Sequence, residues 1–198
     1  MTAAGEQMIS PIWGNLVYCA DHDLLAFAWL FQGGLRVASY YHAAQAVEKY
    51  LKALALSIDD PHGATQTHQA QKRWLKTHDL GGLGLRCAES FPYYGDLELQ
   101  KSLKRFSEFD QSTRYPWVIR KLGNGFSSDD VPLFAEIVHR LRSDIPIAID
   151  DYPLGMLVRG YHHKHPETKT NESHECTQSG PLAAAMALIP QLSGMVRR

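Results

Sequence analysis

Apolar residues recur at helical spacing along five stretches of the chain, 21–31, 35–58, 79–90, 96–109 and 129–149. The clearest is Tyr40–Leu56, YYHAAQAVEKYLKALAL, where Ala, Leu, Lys, Glu and Gln dominate and neither Gly nor Pro intervenes. At about 100° per residue, Ala43, Val47, Tyr50, Leu51, Leu54 and Ile58 share one side of this helix. His42, Gln45, Glu48, Lys49 and Lys52 gather on the other. Glu48 and Lys52 stand four apart in the order that supports a helix by a few tenths of a kcal/mol (~0.3). That polar side has two readings, a solvated charged face or a strip that recognises a ligand.

Asp21 reads as the N-cap of the first helix, with Asp23 favouring its N-terminal dipole and Gly33-Gly34 ending it. The short turn that follows folds the second helix back as an antiparallel hairpin. Asp79 is the expected N-cap of the third helix, whose Leu80, Leu83 and Cys87 point inward while the glycines at 81, 82 and 84 weaken it. The fourth helix carries Leu97, Leu99, Leu103 and Phe106 and is expected to close over Asp110–Pro116. Pro116 biases Tyr115 away from the α region, which sets Arg114 and Tyr115 on an extended turn. The fifth buries Val131, Phe134, Ile137, Val138 and Leu141 and ends at or bends near Pro146. The expected fold class is therefore all-α, an up-and-down bundle of four to five helices. Residues 1–18 form a loose lead-in, 19–150 the bundle, and 151–198 a polar, disordered tail.

Three cysteines in 198 residues, with no Cys-x-x-Cys pair, argue for a reducing compartment and against a disulfide framework or structural zinc. No basic and apolar leader opens the chain and no apolar run reaches about 18 residues, so a cytoplasmic protein without a membrane partner is expected. A net charge of −1 and a pI near 6.8 give no global attraction for nucleic acid, so any basic site is local. His62 and His68 read as loop histidines. His162, His163, His165, His174 and Cys176 lie in a polar run without geometry to enforce a metal site, and no metal is assigned. Gly81-Gly82-Leu83-Gly84 does not follow a strand, so the dinucleotide reading fails on context, and no cofactor is expected.

The phrase YHAAQAVEKYLKALAL resembles the "HAQQAxEKxLKAL" helix of the HEPN domain family. Lys76-Thr77-His78-Asp79-Leu80 resembles that family's "THDL" turn and Thr113-Arg114-Tyr115-Pro116 its "RYP" turn. The resemblance covers roughly Cys19 to Asp150. It implies a helical bundle, commonly a homodimer, that acts on nucleotides or RNA, often as partner of a minimal nucleotidyltransferase in toxin–antitoxin systems. Carried over by position, it points to His42, Gln45, Glu48, Lys49, Lys52, His78, Asp79, Arg114 and Tyr115 as a nucleotide- or phosphate-binding set. Lys49, Lys52 and Arg114 would supply charge and Tyr115 a stacking face.

The ribonuclease branch of that family pairs an Arg with a His across four to six intervening residues, the Arg holding the scissile phosphate and the His moving a proton. After Arg114 the next histidine is His139, outside that spacing. Arg36 with His42 and Arg73 with His78 fit the count, so His42, His78 and Arg114 stand as weak catalytic candidates for a metal-independent endoribonuclease. A purely structural helical adaptor, with the charged residues joining helices as ion pairs, is the third reading.

Overall fold

The computed structural model of the chain describes residues 12–61, 72–114 and 130–146. Within them lie five α-helices and no strand: α1 (Ile12–Gln32), α2 (Arg36–Asp59), α3 (Leu80–Ala88), α4 (Leu97–Arg114) and α5 (Asp130–Asp144). Two 3-10 turns, Arg73–Lys76 and Pro92–Gly95, precede α3 and α4. The all-α bundle expected from the apolar spacing is present. No helix among the described residues is long and apolar enough to cross a membrane.

Helix α2 runs through the middle and packs against each of the other four helices. Its apolar stripe behaves as the spacing predicts, with Ala43, Val47, Tyr50, Leu51 and Leu54 all buried. Encirclement by four neighbours has a second result: the opposite side is covered as well. Gln45, Glu48 and Lys52 are buried too, so the polar strip is not the solvated face that its composition suggests.

Helix α1 starts at Ile12, well before the expected cap at Asp21. The reason is packing, because Trp13, Val17, Ala20 and Leu24 continue the core stripe of Phe27 and Phe31 toward the N-terminus. The expected lead-in of residues 1–18 is therefore helical from Ile12 onward. Asp21 and Asp23 consequently sit inside a helix rather than at its start, and each needs a partner from elsewhere.

At the C-terminal end of α1, Gly34 adopts φ +78°, a left-handed conformation that glycine takes without a Cβ penalty. The Leu35 N–H then donates to Leu30 O at 2.9 Å and the Gly34 N–H to Phe31 O at 3.1 Å, a Schellman cap that returns the chain as α2.

Asp79 occupies the N-cap position of α3 as expected, but its carboxylate makes no capping hydrogen bond. The hydroxyl of Ser107 on α4 accepts the Leu80 N–H at 2.8 Å instead. Asp96 caps α4, its Oδ1 accepting the N–H of Glu98 at 2.9 Å and of Leu99 at 3.1 Å. Leu97, the first of the helically spaced apolar residues of α4, is exposed in its first turn.

Helix α4 continues to Arg114 rather than closing after Phe109, so no extended turn begins before that residue. The helix α5 stripe Val131, Phe134, Ile137, Val138 and Leu141 is fully buried, and the helix ends at Asp144, before Pro146. Residues 151–198 lie outside the described residues.

The glycine-rich segment is part of α3, and one of its glycines has a packing reason. A Cβ at Gly84 would stand 2.6 Å from Leu103 Cδ1 and 2.8 Å from Gln100 Nε2. Leu103 is fully buried and the Gln100 amide donates to Tyr94 O at 2.6 Å, so neither yields freely. Gly84 thus lets α3 and α4 approach. Gly84→Val should lower stability by ~1–3 kcal/mol in chemical denaturation, with the slope unchanged.

Asp59, at the end of α2, receives Lys72 Nζ at 2.6 Å and Arg86 Nη2 at 2.8 Å, and Arg86 also stacks 4.7 Å from the Trp74 ring centre. Burial pushes the Asp59 carboxyl up, but the hydrogen bonds and charges of Lys72 and Arg86 outweigh it and hold it below its ordinary value. The unfolded chain therefore binds the proton more readily. The stabilisation is complete above the ordinary carboxylate range and is lost as pH falls through the depressed folded value. The melting-temperature gap between wild type and Asp59→Asn should be open near neutrality and narrow as pH falls below the ordinary carboxylate range.

Candidate functional site

Six residues singled out from the sequence join Asp23 of α1 in one hydrogen-bonded network across α1, α2 and the segment leading into α3. Glu48 is its hub. Its Oε1 receives Lys52 Nζ at 2.6 Å, one turn along α2, and its Oε2 meets His78 Nδ1 at 2.9 Å. Gln45 Nε2 adds a long 3.5 Å contact to the same Oε2, while Gln45 Oε1 accepts Lys49 Nζ at 3.0 Å. Lys49 Nζ also reaches Asp23 Oδ2 on α1 at 2.5 Å, and Asp23 Oδ1 meets His42 Nδ1 at 2.8 Å.

A carboxylate only accepts, so Nδ1 carries the hydrogen in both imidazole pairs. In a neutral ring, Nε2 is then the acceptor. This is the arrangement by which a carboxylate orients an imidazole for proton transfer.

Burial divides the network into an inner and an outer part. The Glu48 and Lys52 side chains are only 6% and 8% exposed. Burying a carboxylate costs several kcal/mol unless it is paired and hydrogen-bonded, which explains why three side chains, Lys52, His78 and Gln45, converge on Glu48. The outer part is His42, Lys49 and His78, at 30%, 24% and 44% exposure. These three reach solvent and the others hold them.

The Glu48–Lys52 pair runs along α2 itself and the Glu48–His78 contact ties α2 to the segment before α3. Asp79 is exposed beside His78. Arg114 ends α4, while its side chain and the whole of Tyr115 lie outside the described residues, as do His62, His68 and the histidines of the tail. Among the described residues no three His, Cys, Asp or Glu side chains gather as metal ligands.

Asp23 is the member that the sequence reading did not find. It was legible as one of only two carboxylates in an otherwise apolar helix without Lys or Arg, where a charge needs an external partner. The other, Asp21, anchors a second buried cluster. Tyr50 Oη donates to Asp21 Oδ1 at 2.5 Å and Arg142 Nη2 of α5 lies 3.7 Å from Asp21 Oδ2. Burial, then the Asp21 charge, pushes the Tyr50 phenol well above its ordinary value, so it stays a donor. This cluster is closed to solvent. It joins α1, α2 and α5 and offers no reacting group to a ligand.

Comparison with protein-family models, with curated proteins and with solved structures gave no match for the chain.

The inner pair predicts its own energetics. Glu48→Ala should destabilise by about 3–5 kcal/mol, because it leaves Lys52 buried without its carboxylate. Glu48→Gln combined with Lys52→Met should lose less than the sum of the two single changes, a non-additivity that urea denaturation of the four proteins measures.

Proposed function

We propose that the chain is a HEPN-type helical module that binds a nucleotide or RNA phosphate at the outer part of this network, as a non-catalytic partner of a minimal nucleotidyltransferase. The observation that carries the reading is convergence. His42, Lys49 and His78 come from two of the motifs on which the resemblance rests, and they share one network at the surface, joined through Gln45, Glu48 and Asp23.

The charges suit an anion of variable occupancy. Two carboxylates, Asp23 and Glu48, balance two ammoniums, Lys49 and Lys52, so the network is neutral with neutral imidazoles and carries +2 when both are protonated. Of the two ammoniums Lys49 is the more exposed, and a phosphate arriving at the outer part meets it first. Lys52 supports from within and is not a direct contact in this reading.

A second reading, the metal-independent endoribonuclease, is favoured by one feature. His42 is oriented by Asp23, and it borders the same surface groove as Arg36. A guanidinium for the phosphate and an oriented imidazole for the ribose hydroxyl are the two groups such cleavage needs.

One experiment separates the readings. With EDTA present, a short single-stranded RNA should bind and stay intact, with Lys49→Ala weakening binding roughly tenfold or more. Cleavage to cyclic phosphate ends, abolished in His42→Ala, would replace the binding module by the nuclease. No binding by a folded protein would leave only the structural adaptor.

A further inference from the structure

Helix α1 packs chiefly against α2, and one side of it is left uncovered by the other described helices. At about 100° per residue, Tyr18, His22, Leu25 and Trp29 fall on that side, in steps of four, three and four. Tyr18 is 51% and Trp29 65% exposed, His22 is exposed and Leu25 is half-buried. The Tyr18 and His22 rings meet edge to face with centres 4.7 Å apart, so these residues form a strip rather than a scatter of single side chains. No Lys or Arg occurs in α1, and its two carboxylates are turned away. Asp21 is engaged by Tyr50, and Asp23 by His42 and Lys49. A continuous apolar strip on a surface marks a place where something docks.

The chain itself carries a matching segment. Within residues 151–198, polar over most of their length, 181–189 reads PLAAAMALI, nine residues without a polar side chain. Leu182, Met186 and Ile189 stand four and three apart, the same steps as the α1 strip, and alanine is the strongest helix former. Two copies of the α1 strip would set large ring against large ring. The segment instead offers alanines between its larger side chains, and large against small is how facing helices interdigitate.

We infer that the uncovered side of α1 is the docking surface for residues 181–189 of the same chain, with Leu182, Met186 and Ile189 laid against Tyr18, Leu25 and Trp29. Reach is no obstacle. The description of the bundle ends at Pro146, and the 35 residues 147–181 span up to about 115 Å when extended, against about 30 Å for the whole of α1. A tether also holds the segment at an effective concentration on the order of 1 mM, so a contact too weak to retain a separate partner suffices here. Neither the network around Glu48 nor its proposed ligand enters this inference.

The test uses the full chain labelled with 5-fluorotryptophan. The Trp29 fluorine resonance, identified by its absence from Trp29→Phe, reports solvent access through its shift between H2O and D2O. The native chain should show the small shift of a covered ring. Leu182→Asp/Met186→Asp, which sets two carboxylates against the apolar strip, should show the full shift of an exposed one. Trp13, in the core, should keep the same shift in both chains and so certify the fold. A full shift at Trp29 in the native chain overturns the docking. A small shift that persists in the double variant overturns it too, because something else then covers the ring. Protection of Trp29 that grows with protein concentration overturns it in favour of a second copy.

Discussion

A carboxylate surrounded by protein must have its lone pairs met, and Glu48 is the point in this fold where that requirement organises the rest. Helix α2 touches four neighbours and buries Gln45, Glu48 and Lys52 along its polar strip, so that part of the strip becomes an interior problem. Lys52 answers from the next turn, Gln45 from the previous one and His78 from the approach to α3. Once those positions are set, the ring of His78 is oriented as a by-product. Asp23 repeats the solution on the α1 side, where it holds His42 and Lys49 together.

This arrangement makes the contrast between structural and functional readings of the strip less sharp than it looks in one dimension. The inner residues stabilise the bundle, and the outer ones are presented to solvent in fixed orientation because the inner ones are fixed. A rigid helix with satisfied neighbours is a better platform for positioning imidazoles than a loop. The two roles belong to different layers of the same network.

The apolar content of the chain was largely legible. Val131 through Leu141, the α2 stripe and the Gly33-Gly34 stop all stand where period and turn chemistry put them. The boundaries were harder, and each miss has a physical origin. Gly14 hid a helix whose Trp13 and Val17 are core residues, because tertiary burial overrides the low propensity of a single glycine. Asp79 looked like a sufficient cap, yet the hydrogen bond comes from Ser107, 27 residues away, which no local pattern reveals. The same holds for the site: His42, Lys49 and His78 were recognisable by motif. Asp23, which orders two of them, depended on how α1 lies against α2.

The Asp21 cluster has a consequence for how the molecule divides. Asp21, Tyr50 and Arg142 belong to the first, second and last described helices, and their meeting point is sealed. A shortened chain ending after α4 would strand an anion in hydrocarbon surroundings, with a phenol but no guanidinium beside it. The last described helix is thus no appendage: it closes, from the far end of the described chain, a charge cluster that α1 and α2 open.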